Sequence, residues 1–339
     1  MADIVVLGAG NFGTCLAQHL ASRGHQVKIW HRDAAVVEAI NSVHRNPKYL
    51  NFCELSDKIV GFCDPEYLAE SSVSAVIIAV PTQAMRFVLQ TFPRSIFENS
   101  LLVCANKGID MQTYQLPIDV IREVFGDKIA NQAVMLSGPS FASEVVTHQP
   151  TCVVAASHSE AYARQAQDLF HTPFFRVYTN DDPIGLEVAG ALKNVIAIAV
   201  GAASGLGFQS NTRAALMSRG LAEITRMGVR LGAQTITFGG LGGVGDLFLT
   251  CTSEKSRNYS VGFRLGKGEP LESILATMGS VAEGVYTAKA AHHLAAQLNI
   301  RAPIMDQVYS VLYQGKPIRQ SFHDLVSGSA REEFELPSI

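Results

Sequence analysis

The segment Gly8-Ala9-Gly10-Asn11-Phe12-Gly13, near the start of the chain, constrains the fold more than any other. It follows the β-branched apolar run Ile4–Leu7, which is typical of a central parallel strand. A run with apolar residues at helical spacing comes next and ends at Gly24. Glycines at these three places permit a tight turn and let the helix pack closely on the strand. The segment therefore predicts a strand–turn–helix unit at the start of an α/β domain.

Strand patterns alternate with helical patterns as far as residue 180, and only helical patterns follow. Alternation of this kind predicts a doubly wound sheet. We expect an α/β fold, with an N-terminal Rossmann sheet domain in residues 1–185 and an all-helical domain in residues 186–339. The predicted strands are Ile4–Leu7, Val27–Trp30, Ala75–Val80, Leu101–Ala105, Ala133–Ser137, Cys152–Ala156 and Phe174–Tyr178. The predicted helices are Thr14–Arg23, Gln83–Thr91, Leu116–Phe125, Glu160–Phe170, Ile184–Val200, Thr212–Gly232, Pro270–Met278, Glu283–Leu298 and Pro303–Tyr313.

Composition excludes several classes of protein. With 339 residues, 47% of them apolar, the chain has the material for a large core, and its net charge of −3 argues against a general nucleic-acid binder. The six cysteines form no C-x-x-C pair and no zinc spacing, which favours reduced thiols in the cytoplasm and predicts no metal site. The N-terminus lacks the features of a signal peptide, and the most apolar run, Val195–Gly207, is too short to span a membrane. We expect a cytoplasmic protein with no membrane span.

The glycine motif predicts dinucleotide binding. Its second glycine lets a pyrophosphate approach the backbone, and the start of the helix offers N–H donors and a positive dipole end. The alternative is a turn that serves only the fold. FAD is disfavoured because a second glycine motif of the kind flavoproteins use is not evident.

The end of the second strand selects between NAD and NADP. An NAD site usually has Asp or Glu there, whereas this chain has His31-Arg32, with Asp33 one residue later. A guanidinium attracts a 2′-phosphate, so we predict that NADP(H) is preferred and NAD(H) is accepted. In the alternative, Asp33 binds the ribose and Arg32 is a solvated surface charge.

Two loops follow strands at the edge where ligands of open α/β sheets bind. Lys107 lies in the loop Asn106-Lys107-Gly108, where it is placed to bind a phosphate or polarise a carbonyl. Gly138-Pro139-Ser140 offers backbone N–H groups and a hydroxyl. The alternative for Lys107 is an ordinary exposed loop lysine.

Lys193 interrupts a long run of small apolar residues and is followed by Asn194. A lysine in such surroundings either extends its ammonium to water or is held in a dry site. Desolvation lowers the pKa of a lysine, which suits proton transfer near neutral pH. We therefore treat Lys193 as a candidate acid–base residue, against the alternative of a lysine that reaches solvent.

A third cluster begins with the glycine-rich run 239–245, which ends at Asp246. A carboxylate at that position is suited to orient an ammonium such as that of Lys193. Ten residues later, Ser256-Arg257-Asn258 combines a hydroxyl, a guanidinium and an amide, which together suit a phosphate group. The alternative for Arg257 is a surface ion pair.

Together these motifs, in their order and spacing, resemble NAD(P)-dependent glycerol-3-phosphate dehydrogenase in its short bacterial form. The resemblance extends from Ile4 to about Gly315 and includes two further segments, Gly190–Asn194 and Val281-Ala282-Glu283-Gly284. It implies reversible reduction of dihydroxyacetone phosphate to sn-glycerol 3-phosphate, which supplies phospholipid synthesis, and a homodimer. Asn11 departs from the small residue that is frequent at its position in the family.

The resemblance also implies roles for individual residues. Lys193 is expected to exchange a proton with the substrate C2 oxygen, and Asp246 to orient it. The catalytic candidates are Lys193, Lys107, Asp246, Asn194 and Thr250. The cofactor candidates are Gly8, Gly10, Asn11, Phe12, Gly13, Arg32, Lys107, Ala142, Arg257, Val281 and Glu283. The substrate candidates are Lys107, Gly138, Ser140, Lys193, Asp246, Ser256, Arg257 and Asn258.

Two other functions compete with this one. A dehydrogenase of hydroxyacids or 6-phosphogluconate also uses a lysine and an asparagine on a helix, but lacks the glycine-rich loop followed by Ser-Arg-Asn. A non-catalytic NADPH sensor keeps the glycine motif but has no need for Lys193, Asp246 and Arg257 together.

Overall fold

The computed structural model describes residues 2–69, 71–279 and 281–327. Its chain forms two compact units: Met1–Asn106 with Pro117–Pro183, and Lys107–Leu116 with Ile184–Ile339. The second unit therefore takes in the ten-residue segment that starts at Lys107. Residues 328–339, the end of the predicted helical domain, lie outside the described residues.

The first unit is built on one eight-stranded sheet. Its strands are β1 (Asp3–Leu7), β2 (Gln26–Trp30), β3 (Ile59–Phe62), β4 (Ala75–Ile78), β5 (Leu101–Cys104), β6 (Val134–Ser137), β7 (Thr151–Ala156) and β8 (Phe175–Asn180). Its helices are α1 (Asn11–Ser22), α2 (Ala34–Val43), α3 (Thr82–Thr91), α4 (Ser95–Glu98), α5 (Pro117–Phe125), α6 (Asp127–Gln132), α7 (Ala142–Val145) and α8 (Glu160–Phe170), with a 3₁₀ turn at Pro65–Leu68.

The order of the strands is β3-β2-β1-β4-β5-β6-β7-β8, with β1 to β6 parallel. The last two strands are parallel to each other, but β7 pairs with β6 in the antiparallel direction. The order reverses at β1, which has β2 on one side and β4 on the other. Ligands of doubly wound sheets bind at such a switch point, outside the carboxyl ends of the strands. The turn after β1 therefore occupies the position that the fold reserves for a nucleotide.

Apolar residues cover both faces of the central strands. The side chains of Ile4, Val5, Val6 and Leu7 are wholly buried, as are those of Val76, Ile77 and Ile78 on the neighbouring strand β4. Strands buried on both faces read as continuous apolar runs, which is why these runs identified them in the sequence.

The regular elements of the second unit are all helices within the described residues, and its segment Lys107–Leu116 consists of turns and irregular backbone. Its helices are α9 (Pro183–Gly205), α10 (Ser210–Arg230), α11 (Thr235–Phe238), α12 (Asp246–Thr252), α13 (Arg257–Gly266), α14 (Leu271–Thr277), α15 (Glu283–Gln297), α16 (Pro303–Gln314) and α17 (Ile318–Val326). A π-helical turn at Leu241–Gly245 leads directly into α12. The expectation of a Rossmann sheet followed by a helical domain is confirmed.

Helix α9 is the core of the second unit. Residues 185–203 are buried on every side of the helix, which is the pattern of a helix enclosed by others. It is long and apolar enough to cross a membrane, but 94% of its most apolar window is buried inside the protein. Lys193 lies near the middle of this helix.

Candidate active site

The turn between β1 and α1 leaves room for a pyrophosphate. Gly8 has φ of +116°, and a Cβ there would lie 2.8 Å from the backbone of Ala79; a Cβ on Gly13 would lie 1.8 Å from the Gly8 carbonyl oxygen. A Cβ on Gly10, by contrast, would meet no atom within 4 Å, and no side chain caps the start of α1. The turn is thus tightly packed at Gly8 and Gly13, and it is open at Gly10, where α1 begins. These residues fit the phosphates of NAD(P).

Asn46 fixes this turn from the side, and the sequence did not point to it. Its wholly buried amide donates to the Ala9 carbonyl and to Thr14 Oγ1, both at 2.9 Å. Its oxygen accepts from the backbone N–H groups of Lys48 and Tyr49. One side chain therefore joins the glycine turn to the Lys48–Tyr49 segment. The only available signal was the Asn46-Pro47 pair, which indicates a turn but no partner.

Both carboxylate oxygens of Asp33 are engaged at the end of β2. Oδ1 caps α2 by accepting from the Ala35 N–H at 3.0 Å, and Oδ2 lies 2.5 Å from Lys48 Nζ. The Lys48 hydrogen bond, followed by that of Ala35, lowers the pKa of Asp33. Arg32 is exposed beside them. An exposed guanidinium and a carboxylate whose two oxygens are engaged therefore lie side by side at the end of this strand.

The ammonium of Lys193 is buried and points at Asp246. The residue is 6% exposed, and Nζ lies 2.7 Å from Asp246 Oδ1 and 2.6 Å from Thr250 Oγ1. Thr250 donates in turn to the Asp246 carbonyl at 2.6 Å. The alternative of a lysine that extends to solvent is wrong, because the helices around α9 enclose the whole side chain.

A second ammonium lies on the other carboxylate oxygen. Lys107 Nζ donates to Asp246 Oδ2 at 2.8 Å, and Asp246 is 1% exposed. Lys107 precedes Asp246 by 139 positions in the sequence, and it shares this one carboxylate with Lys193. Two cations and one anion leave a net positive charge, which suits an anionic ligand.

Burial and charge set opposite pKa shifts in this cluster. Desolvation lowers the pKa of Lys193 to about 8, although Asp246 raises it and Lys107 adds to the lowering. Burial alone would raise the pKa of Asp246, but the ammonium groups of Lys107 and Lys193 bring it below its ordinary value. The carboxylate is therefore ionised at neutral pH, and Lys193 is poised to give or take a proton.

The remaining groups of this cluster are two asparagines. Asn194 donates to the Lys107 carbonyl at 3.2 Å and accepts from Asn258 Nδ2 at 2.8 Å. Asn258 Oδ1 accepts from the Gly284 N–H at 3.0 Å. The second unit thus brings together Lys107, Lys193, Asn194, Asp246, Thr250 and Asn258.

The other predicted residues of the second unit lie at or just before the N-termini of α13 and α15. Ser256 caps α13 by accepting from the Tyr259 N–H, and Arg257 is the exposed first residue of that helix. Val281 is 38% exposed, and Glu283 is the first residue of α15.

In the first unit, the predicted substrate loop follows β6. Gly138 has φ of +145°, Ser140 Oγ donates to the Gly138 carbonyl at 3.0 Å, and Ala142 begins α7. This loop and the glycine turn both follow carboxyl ends of parallel strands, so they share one edge of the sheet. All six cysteines are free, and the described residues contain no group of three or more His, Cys, Asp or Glu side chains arranged to hold a metal.

Comparison with known proteins identifies the family. The family model described as NAD-dependent glycerol-3-phosphate dehydrogenase N-terminus matches residues 3–163, and the corresponding C-terminus model matches residues 182–323. A glycerol-3-phosphate dehydrogenase [NAD(P)+] of Staphylococcus saprophyticus is 44% identical over 98% of this chain and 100% of that protein. The chain belongs to the NAD-dependent glycerol-3-phosphate dehydrogenase family. The Geobacillus kaustophilus enzyme of the same name is also 44% identical, over 99% of this chain and 97% of its own length.

Solved structures of glycerol-3-phosphate dehydrogenases have the same fold. The Coxiella burnetii enzyme superposes with a TM-score of 0.89 at 33% identity, covering 96% of this chain and 99% of that one. The Saccharomyces cerevisiae enzyme superposes with a TM-score of 0.77 at 25% identity, covering 96% and 99%. The family resemblance predicted from the sequence motifs is confirmed.

Proposed function

We propose that the protein catalyses the reversible NAD(P)H-dependent reduction of dihydroxyacetone phosphate to sn-glycerol 3-phosphate. The observation that carries the proposal is the buried Lys193 ammonium, which two acceptors hold in place. An ammonium has three N–H donors, and within the described part of the chain Asp246 and Thr250 take two of them. The third is available to the carbonyl oxygen of a substrate.

The chain supplies acid–base chemistry and fixed charge. When bound, NAD(P)H supplies the hydride that reduces the carbonyl carbon. Lys193 gives its proton to the C2 oxygen as negative charge develops there, an effect worth about 10²–10⁴-fold in rate. Asp246 holds the ammonium in line, and Lys107 stabilises the developing charge without moving. In the oxidation direction, neutral Lys193 takes the proton back.

We assign the phosphate of the substrate to the start of α13. Arg257 offers a guanidinium that forms paired hydrogen bonds with phosphate oxygens, and Ser256 precedes it at the helix N-terminus. Gly138 and Ser140, in the loop after β6, complete the proposed substrate set. An anchored phosphate holds C2 in position for reduction.

We assign the cofactor to the glycine turn and to five further places along the chain. The turn residues Gly8, Gly10, Asn11, Phe12 and Gly13 take the pyrophosphate, and Arg32 takes the 2′-phosphate of NADP(H). Ala142, Lys107, Arg257 and the Val281–Glu283 segment complete the proposed set. NAD(H) also fits the turn, and we propose a preference for NADP(H) because Lys48 and the α2 cap engage both oxygens of Asp33.

We further propose that residues 1–185 carry most of the contacts to the nucleotide, and that residues 186–339 carry most of the contacts to the substrate and form the dimer interface. The protein is proposed to act as a homodimer in the cytoplasm and to supply phospholipid synthesis. A homodimer would sediment with about twice the chain mass of 36.5 kDa.

The test is an absorbance assay of NADPH, and then NADH, with dihydroxyacetone phosphate. Oxidation of the cofactor by this ketone, and little or none with hydroxyacids or 6-phosphogluconate, supports the proposal. Absence of turnover with any phosphorylated ketone, while NADPH still binds, would favour a sensor and contradict the proposal.

The variant Lys193→Ala tests the chemistry directly. We expect kcat to fall about 10²–10⁴-fold because proton transfer is lost, while NADPH affinity is kept. Lys128→Ala removes an exposed lysine of α6 and serves as the matched control. A kcat near that of the wild type in Lys193→Ala would remove this amine from the reaction.

A further inference from the structure

A series of hydrogen bonds between buried amides links four separate segments of the second unit. It starts at the N–H of Gly284, which donates to Asn258 Oδ1 at 3.0 Å. Asn258 Nδ2 then donates to Asn194 Oδ1 at 2.8 Å, and Asn194 Nδ2 donates to the Lys107 carbonyl at 3.2 Å. Asn194 is 5% exposed and Asn258 is 8% exposed, so water competes little for these groups.

The donor-to-acceptor direction of these hydrogen bonds is fixed at both ends of the series. A backbone N–H can only donate, and a backbone carbonyl can only accept. Asn258 must therefore turn its oxygen toward Gly284, and Asn194 must turn its nitrogen toward Lys107 and toward the Gly190 carbonyl at 3.3 Å. If either amide flipped, like groups would face each other inside the protein, at a cost.

Packing around Gly284 makes this contact close. A Cβ at Gly284 would lie 2.6 Å from the Asn194 carbonyl oxygen and 2.8 Å from Asn258 Oδ1. The first turn of α15 can therefore reach the two asparagines only with glycine at this position. Helices α9, α13 and α15 are therefore held together at this point by hydrogen bonds and by close packing.

The sequence placed Asn258 among the residues that bind substrate, but its amide has a different set of partners here. We propose that Asn258 is a positioning residue, which acts through Asn194 on the Lys107 backbone and through Gly284 on the first turn of α15. Asn258 thereby couples Lys107, whose ammonium donates to Asp246, to the Val281–Glu283 segment. The inference rests on the proposed function, because those two places carry the proposed substrate and cofactor contacts.

A double-mutant cycle on Asn194 and Asn258 tests this proposal. We expect Asn194→Ala and Asn258→Ala each to lower kcat/KM for dihydroxyacetone phosphate by about 10–100-fold, as misplacement by an ångström does. The double variant is expected to lose about as much as the worse single variant, since both act through one contact. Losses that multiply would show that Asn258 acts on the substrate independently, and would overturn the proposal.

Cofactor affinity gives a second readout that does not depend on turnover. Trp30 is the only tryptophan and lies at the end of β2, so quenching of its fluorescence reports NADPH binding. We expect Asn258→Ala to weaken NADPH binding several-fold and Asn194→Ala to change it little, because the Gly284 N–H donates to the side chain of Asn258, whereas Gly284 packs only against the backbone of Asn194. Unchanged NADPH affinity in Asn258→Ala would also overturn the proposal.

Controls separate this result from simple destabilisation. Asn41 on α2 donates to the Gly61 carbonyl at 3.0 Å and accepts from the Gly61 N–H at 2.7 Å, so Asn41→Ala removes an equivalent pair of amide bonds elsewhere. We expect Asn41→Ala to lower Tm while both kinetic constants stay within about two-fold of the wild type, as for an uncoupled distant site.

An isosteric variant covers the case in which Asn258→Ala does not fold. Asn258→Asp keeps the acceptor toward Gly284 but sets an oxygen against Asn194 Oδ1. Its cost in kcat/KM should shrink in the Asn194→Ala background, and an undiminished cost there would contradict the proposal. If the wild type does not turn over the triose phosphate, the proposed function fails, and the NADPH affinities alone then decide the inference.

Discussion

The residue that matters most for the proposed chemistry is an amine shielded from water. Burial brings the pKa of Lys193 down to about 8, while the paired Asp246 remains ionised. A free lysine has a pKa near 10.4 and is almost wholly protonated at neutral pH. The shift lets one side chain serve as an acid in ketone reduction and as a base in alcohol oxidation.

This shift predicts opposite pH dependences for the two directions. Reduction needs protonated Lys193, so its kcat/KM should fall as pH rises through about 8. Oxidation needs neutral Lys193, so its kcat/KM should rise through the same region. Initial rates in both directions from pH 6 to 10 measure this, and limbs of the same sign in both directions would exclude Lys193 as the titrating group.

The proposed preference for NADP(H) also depends on single residues. We expect Arg32→Ala to lower the ratio of kcat/KM for NADPH to that for NADH by about tenfold or more, since a hydrogen bond to a charged group contributes about 1.5–3 kcal/mol. Lys48→Met should shift the ratio the same way because it releases the Asp33 carboxylate, which repels a 2′-phosphate. Lys128→Met is the control for loss of a lysine. An unchanged ratio in Arg32→Ala would return the ribose contact to Asp33.

At the residue scale, the sequence identified the groups and the pairing of Asp246 with Lys193, but not the other partners. Lys193 stood out because it interrupts an apolar run, and Asp246 because it ends a glycine-rich one. Nothing local linked Lys107 to Asp246, since the contact joins residues far apart in the chain. The engagement of Asp33 by Lys48, and of Asn258 by Asn194, likewise depends on how helices and loops pack. Whether each predicted residue contacts substrate or cofactor stays a prediction.

At the scale of elements, the long apolar runs were located well. Strands β1, β2, β5 and β6 lie within a residue or so of their predicted bounds, and α8 spans the predicted residues Glu160–Phe170. Strand β3 was missed, because Ile59-Val60-Gly61-Phe62 is short and contains a glycine, which weakens the strand pattern. The antiparallel pairing of β7 with β6 could not be predicted from the sequence either, since apolar runs do not encode strand direction.

One helix is capped from another element. Both oxygens of the buried Glu223 on α10 accept from the first N–H groups of α16, those of Ile304 at 2.9 Å and Met305 at 3.2 Å. Pro303 occupies the first position of α16, and Ala302 before it offers no side-chain cap. Helix N-termini need such acceptors when they are buried.

Removing this cap should destabilise the second unit. Glu223→Ala leaves two buried N–H groups without acceptors, and we expect the free energy of unfolding to fall by about 2–4 kcal/mol. Urea titration followed by circular dichroism measures the change. Glu272→Ala, an exposed position on α14, is the control and should change stability by less than about 0.5 kcal/mol. Equal stability of the two variants would show that the carboxylate contributes nothing as a cap.

At the scale of the whole molecule, the sequence predicted the fold class and the family because the pattern is long and ordered. Alternating strands and helices imply a doubly wound sheet. The absence of strand patterns after Asn180 implies a helical unit. The segment that starts at Lys107 was not predicted to group with the later helices. It follows a strand and is only ten residues long, so composition gave no sign that its contacts lie with the second unit.

Because α9 is buried, we expect the enzyme to lose activity only when the core of the second unit unfolds. Many enzymes carry their reacting groups on surface loops, which loosen before the body of the protein melts. Here the amine proposed to transfer the proton lies on α9, in a stretch of the helix that is buried on every side. Heating should therefore abolish catalysis only where the helical signal itself disappears, so the two melting curves should coincide. Inactivation well below the melting transition would indicate that some other, looser segment limits the working life of the protein.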